Sequence, residues 1–154
     1  MRTIVVLFLI AAAALPVGTP KGFEHWKSAD LRAYEKKLSP KMNAQKVALE
    51  NFGTYGNHSF LVAHREGTGE AELHETQNDV MVIESGEGTL VVGGTVENPK
   101  TTAPHEVRGP SIKGGEKVPV APGDVVHIPV NTPHQMQVAA GKQITYFVVK
   151  IDEK

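Results

Sequence analysis

Gly123 to Val138 reads GDVVHIPVNTPHQMQV, and the conformation of this stretch decides the fold. Asp124 to Ile128 is rich in valine and isoleucine, which favour a strand, while Pro129, Asn131 and Pro133 take the chain out of regular pairing into a bend. His134 then opens a second short strand. The predicted arrangement is strand, bend, strand, with one histidine delivered to a defined place. Taken alone, that histidine serves equally well as the polar end of a loop, and the rest of the chain has to decide.

Working outward, the pattern from Gln45 onward is β throughout. Val47, Leu49 and Phe52 predict a first strand. Ser59 to Arg65 predicts a second, with Phe60 and Val62 on one face and Leu61 and Ala63 on the other. Gly67 and Gly69 turn the chain, Glu70 to Glu75 forms a third strand and Val80 to Glu84 a fourth. Gly86 and Gly88 mark a hairpin into Thr89 to Val92, and Gly93-Gly94 turns again. Glu97 to Lys117 reads as a polar excursion, and Ile144 to Ile151 closes the sheet. Many short strands without interleaved helices predict an all-β sandwich or barrel. A single helix is predicted between Trp26 and Met42, with Ser28 as its N-cap, Leu31, Tyr34 and Leu38 at helical spacing, and Pro40 ending it. It reads as a helix packed on the outside of the barrel rather than as a lid or dimerisation arm.

Two spacings carry a family resemblance. Gly123, five residues, Pro129, one residue, Asn131, two residues and His134 resemble the second motif of the cupin superfamily, with Asn131 where the family usually has Gly and Val138 where it usually has Asn. In the third strand Glu72 and His74 alternate around Leu73 and so share a face. Four residues separate His74 from Asp79, and six residues separate Asp79 from Gly86, as at the end of the first cupin motif. Here Glu72 and His74 replace the usual pair of histidines, and Asp79 replaces Glu. The resemblance covers roughly Gly69 to Val149 and implies a cupin-like double-stranded β-helix, a jelly-roll barrel with one N-terminal helix. It further implies a mononuclear metal near the barrel mouth, held by Glu72, His74, Asp79 and His134. Such a mixed nitrogen and oxygen set suits a divalent transition metal, Fe, Mn, Zn, Ni or Cu, rather than Ca or Mg. Shortening Glu to Asp withdraws the carboxylate by about 1.5 Å, one C–C bond, which makes Asp79 the least direct of the four.

Two further histidines are candidates for binding substrate. His127 interrupts an apolar strand and is expected to line the pocket, although Val125, Val126 and Ile128 occupy both faces and leave its register open. His64 shares a face with Phe60 and Val62, where it either enters the cavity or is a satisfied structural residue. His25, His58 and His105 lie in polar segments and carry no argument. No nucleophile elbow, phosphate loop or Ser-His-Asp pattern occurs.

Before the fold, Arg2 followed by the twelve apolar residues Ile4 to Leu15 and the small residues Ala12 to Ala14 reads as a signal peptide over residues 1–18. Residues 19–44 then form the N-terminal helical segment and 45–154 the cupin barrel domain. The run is too short for a membrane span, which needs about 20 residues. A periplasmic or secreted protein is expected, and with no cysteine it has no disulfide, thiolate ligand or cysteine nucleophile. The formal charge of −1 becomes −2 once Arg2 is removed, and no basic cluster points to nucleic acid or an anionic membrane. A homodimer stays open.

Two functional classes follow. The protein is either a metal-dependent enzyme acting on a small organic molecule, of dioxygenase, isomerase or lyase type, or a non-catalytic protein that binds a small molecule or a metal in its barrel. Fold does not choose between them.

Overall fold

A computed structural model describes residues 18–153; the expected signal peptide lies almost wholly outside them. Helix α1 spans Ser28–Leu38 and runs into a 3-10 turn, Ser39–Lys41. Ser28, expected as the N-cap, is the first helical residue instead, because its Oγ accepts a hydrogen bond from Arg32 at 2.6 Å and Lys27 takes the cap position.

Thirteen strands follow among the described residues. They are β1 (Val47–Tyr55), β2 (His58–Arg65), β3 (Ala71–His74), β4 (Gln77–Gly86), β5 (Gly88–Val92), β6 (Thr95–Val96) and β7 (Lys100–Ala103), then β8 (Glu106–Gly109), β9 (Ile112–Lys113), β10 (Glu116–Val120), β11 (Val125–Ile128), β12 (His134–Gln137) and β13 (Ile144–Asp152). A five-stranded sheet of order β1-β2-β13-β4-β11 faces a six-stranded sheet of order β10-β5-β12-β3-β8-β7, with β6 and β9 as a small separate pair. Every pairing is antiparallel. The architecture is the expected cupin-like jelly-roll barrel with one N-terminal helix.

Alternation sorts the side chains into two layers. Ala63, Met81, Ile83, Leu90, Ile128, Met136, Tyr146 and Val148 are buried between the sheets. Val62 and Ala48 point the other way and meet Leu31 and Leu38 of α1, with Trp26, Tyr34, Phe52 and Phe147 packed around them. The helix therefore covers the outer face of the five-stranded sheet, as its apolar stripe requires.

The segment Glu97 to Lys117 departs from its reading as an excursion. It contains β7, β8, β9 and the start of β10, and β8 pairs along the whole of β3. These strands are short and largely polar because β7 is a sheet edge with all four residues exposed, so no apolar alternation marks it.

Two backbone positions hold the bends around the site. Asn131 adopts φ 57°, a conformation asparagine tolerates better than most residues, and its N–H donates to the carbonyl of His74 at 2.8 Å. Gly86 sits at φ 74°, where any Cβ would overlap the carbonyl oxygen of Gln143.

Candidate metal centre

Strand register assembles the centre. His134 on β12 stands opposite Glu72 on β3. On its other side β3 pairs with β8, which sets Glu72 against Arg108 and His74 against Glu106. In the facing sheet Asp79 on β4 lies opposite Lys150 on β13. Antiparallel pairing thus gives each ligand-type side chain a charged or ligating cross-strand neighbour.

Glu72, His74 and His134 each offer one atom within 4.8 Å of the others, and both histidines are buried. Oε2 of Glu72 lies 3.6 Å from Nε2 of His74 and 4.0 Å from Nε2 of His134. Oδ2 of Asp79 is 3.5 Å and 3.7 Å from the same two nitrogens. The structure therefore brings all four expected ligands together, with Asp79 differently engaged. Its two oxygens accept hydrogen bonds from Lys150 Nζ at 2.9 and 3.2 Å.

Each histidine is held in one tautomer. His134 Nδ1 donates to the carbonyl of Thr132 at 3.1 Å, so Nε2 carries a bare lone pair. That Nε2 is buried and finds no hydrogen-bond partner among the described residues. A buried lone pair aimed at a carboxylate and a second imidazole is costly unless something fills the space between them. His74 Nδ1 donates to Glu106 at 2.7 Å, the carboxylate-histidine arrangement that orients metal-binding imidazoles. Glu72 is clamped as well: Oε1 takes Arg108 at 2.7 Å and Arg65 at 3.2 Å, which leaves Oε2 facing the histidines. Arg65 is held in turn by the hydroxyl of Tyr146 at 2.8 Å. Glu72, His74 and His134 together offer a donor set that fits a metal ion.

The electrostatics agree with that fit. Burial pushes His134 below the ordinary histidine value, so its imidazole is neutral and ready to ligate. Burial works to raise Glu72, but its contact with His74 and the charges of Arg108 and Arg65 overcome it and hold the carboxyl well below the usual range. For Asp79, burial is likewise outweighed by His74 and Lys150. Burial lowers His74, while Asp79 and Glu72 pull it up to about 9. With Lys150 Nζ only 3.1 Å from His74 Nε2, two N–H donors cannot share that line. The ammonium paired with Asp79 supplies the positive charge, and Nε2 keeps its lone pair.

A cavity of about 400 Å³ opens beside this cluster. Leu61, Met81, Met136 and Val148 form its apolar wall, with Asn43 and Gln45 from the connection between α1 and β1 also lining it. Neither of the two histidines expected to bind substrate lines it. His127 is exposed, because Val126 and Ile128 turn their side chains to the core and alternation sends Val125 and His127 outward. His64 is fully buried on the helix side of β2, satisfied by Thr145 Oγ1 at 2.8 Å and Glu66 at 3.3 Å. Sequence reading missed Arg65, Glu106, Arg108, Tyr146 and Lys150. The alternation of Glu106 and Arg108 around Val107, and a lysine interrupting the apolar run Ile144 to Ile151, are the signals that could have found them.

No protein-family model matches the sequence, and no curated protein matches it. Solved structures are similar in fold. TT1209 from Thermus thermophilus is 19% identical over 77% of this chain and 94% of its own, with a TM-score of 0.54. Pac13 from Streptomyces, a nucleoside dehydratase, is 12% identical over 72% of this chain and 73% of its own, with a TM-score of 0.52. The plu4264 protein from Photorhabdus luminescens is 10% identical over 70% and 77%, with a TM-score of 0.51. Likeness at such identities establishes the fold alone, a cupin-like β-barrel.

Proposed function

We propose that the chain is a metal-dependent enzyme of isomerase or lyase type, acting on a small organic molecule that enters the barrel. The observation that carries this reading is the unpartnered, buried Nε2 of His134, which faces Glu72 beside a cavity of ligand size. A divalent ion held there by Glu72, His74 and His134 would act as a Lewis acid on a substrate oxygen. The protein's own groups do the rest. Glu106 and the Thr132 carbonyl fix the two imidazoles, Arg65 and Arg108 fix Glu72, and the wall of Leu61, Met81, Met136 and Val148 keeps water from the reacting atoms. Glu70, Tyr146 and Lys150 also line the cavity and can hold or pass a proton, which supports isomerase or lyase chemistry over dioxygenase chemistry.

Export belongs to the same proposal: the apolar run Ile4 to Leu15 is a secretion signal, and the mature protein works in the periplasm or outside the cell. The non-catalytic alternative makes the same metal site but no turnover. Small oxo and hydroxy acids incubated with manganese-loaded protein in D2O separate the two. Exchange of a substrate C–H, seen by proton NMR and lost in His134→Ala, is expected of the enzyme; binding without exchange across such a panel would favour the alternative.

A further inference from the structure

Lys150 is the cation of this centre that reaches a candidate ligand nitrogen, and no expected ligand set includes it. Its side chain is 20% exposed, it lines the cavity, and its ammonium lies 2.9 Å from Asp79 Oδ1 and 3.1 Å from His74 Nε2. We propose that Lys150 is the resident cation of the site: its ammonium satisfies Asp79 and His74 in the metal-free protein, and a metal bound at His74 releases it to anchor an oxyanion of the ligand. The inference rests on the metal reading above and deepens it by naming the ligand's chemical class.

The argument is one of valence. A histidine has two ring nitrogens, and His74 spends Nδ1–H on Glu106. A single lone pair remains, at Nε2, and Lys150 now uses it. That lone pair cannot serve an ammonium donor and a metal at once. Asp79, in contrast, is free to stay with Lys150, since the pair is set by strand register and needs nothing from the metal. With His74 withdrawn, the ammonium keeps Asp79 and turns its remaining N–H groups to the cavity, within reach of any oxygen bound beside the centre.

Charge balance gives the ligand its sign. Arg65, Arg108 and Lys150 carry three positive charges around the cluster, against Glu72, Asp79 and Glu106, which carry three negative ones, while Glu70 at the rim is exposed to solvent. A divalent cation takes this group from neutral to +2. An anion such as a small 2-oxo acid offsets that charge, and a buried net charge is costly without such a partner.

The test uses Mn(II) and pyruvate as probes, with calorimetry on the full chain and on Lys150→Met. Mn(II) is expected to bind Lys150→Met about tenfold or more tightly than wild type, the usual worth of a hydrogen bond to a charged group. Pyruvate is expected to bind manganese-loaded wild type about tenfold more tightly than loaded Lys150→Met, and to show no such difference between the two metal-free proteins. Unchanged or weaker Mn(II) binding by the variant overturns the proposal, as does pyruvate binding that ignores Lys150 in the loaded state. If Lys150→Met does not fold, Asp79→Asn with Lys150→Met removes both partners of the buried pair at once, the tolerated way to delete one. That double variant is expected to bind Mn(II) at least as well as wild type, and weaker binding overturns the proposal. Failure of both wild type and variants to bind any metal would instead bring down the metal reading itself, and this inference with it.

Discussion

Glu106 accepts the Nδ1–H of His74 at 2.7 Å from the neighbouring strand, and in doing so turns Nε2 of that histidine toward Glu72 and Asp79. A carboxylate in this place fixes the tautomer and raises the basicity of the ligating nitrogen, and losing it typically costs 10 to 100-fold in metal affinity. Glu106→Ala is expected to weaken zinc binding by about that factor, while Glu106→Gln, whose amide oxygen still accepts the N–H, loses less. Competition titration against a chromophoric chelator reads both. Equal affinity in Glu106→Ala and wild type would mean that His74 is not oriented by Glu106.

Strand β11 offers a test of register that no site chemistry disturbs. Val126 packs against the core, whereas its neighbour Val125 is 66% exposed. Val126 is only partly buried, so Val126→Asp is expected to lower the melting temperature without abolishing folding, since a carboxylate drawn partly out of water costs on the order of 1 to 3 kcal/mol against a total stability of about 5 to 15 kcal/mol. Val125→Asp should stay within about 0.5 kcal/mol of wild type, as surface changes do. Thermal melts of the two variants decide it, and the reverse ordering would place the strand one residue out of register.

Acid stability follows from three of the buried groups. Glu72 and Asp79 sit below their ordinary values of 4.5 and 3.8, and His134 below 6.5, so each binds fewer protons folded than unfolded. Such groups stabilise the fold above their unfolded values, and that contribution is lost as pH falls. The melting temperature of metal-free protein is therefore expected to drop from about pH 6.5 downward and more steeply below about 4.5. Arg108→Met, which removes a charge that holds Glu72 down, should lower stability at pH 7 and flatten the loss below 4.5. A melting temperature that climbs on acidification from pH 6 to pH 4 would contradict this assignment.

The barrel and the face that gathers Glu72, His74, Asp79 and His134 were legible because alternation and turn chemistry write themselves into a sequence. Glu72, His74, Asp79 and His134 lie on strands whose period of two and whose flanking Gly86 and Pro133 are visible without a structure. What surrounds them was not legible, because cross-strand partners come from distant segments. Glu106 and Arg108 belong to a strand too polar to announce itself, and only the register of β8 on β3 reveals what they hold. His127 failed for a related reason: valines on both sides gave no inward face until Ile128 was seen packed in the core. Lys150 interrupts the apolar run Ile144 to Ile151, but only its place opposite Asp79 puts it at the centre.

The central claim is that Glu72, His74 and His134 hold one divalent metal, and the most direct measurement is metal content per chain. Wild type, His134→Ala and His127→Ala would each be loaded with Mn, Fe, Co, Ni, Cu or Zn, desalted, and measured by mass spectrometry, with melting temperatures taken alongside. About one ion per chain is expected for wild type and for His127→Ala, whose side chain faces solvent. His134→Ala is expected to lose the ion while still melting cooperatively. Retention of the metal by His134→Ala, or its loss in His127→Ala, would contradict the assignment of this face of the barrel as the metal centre.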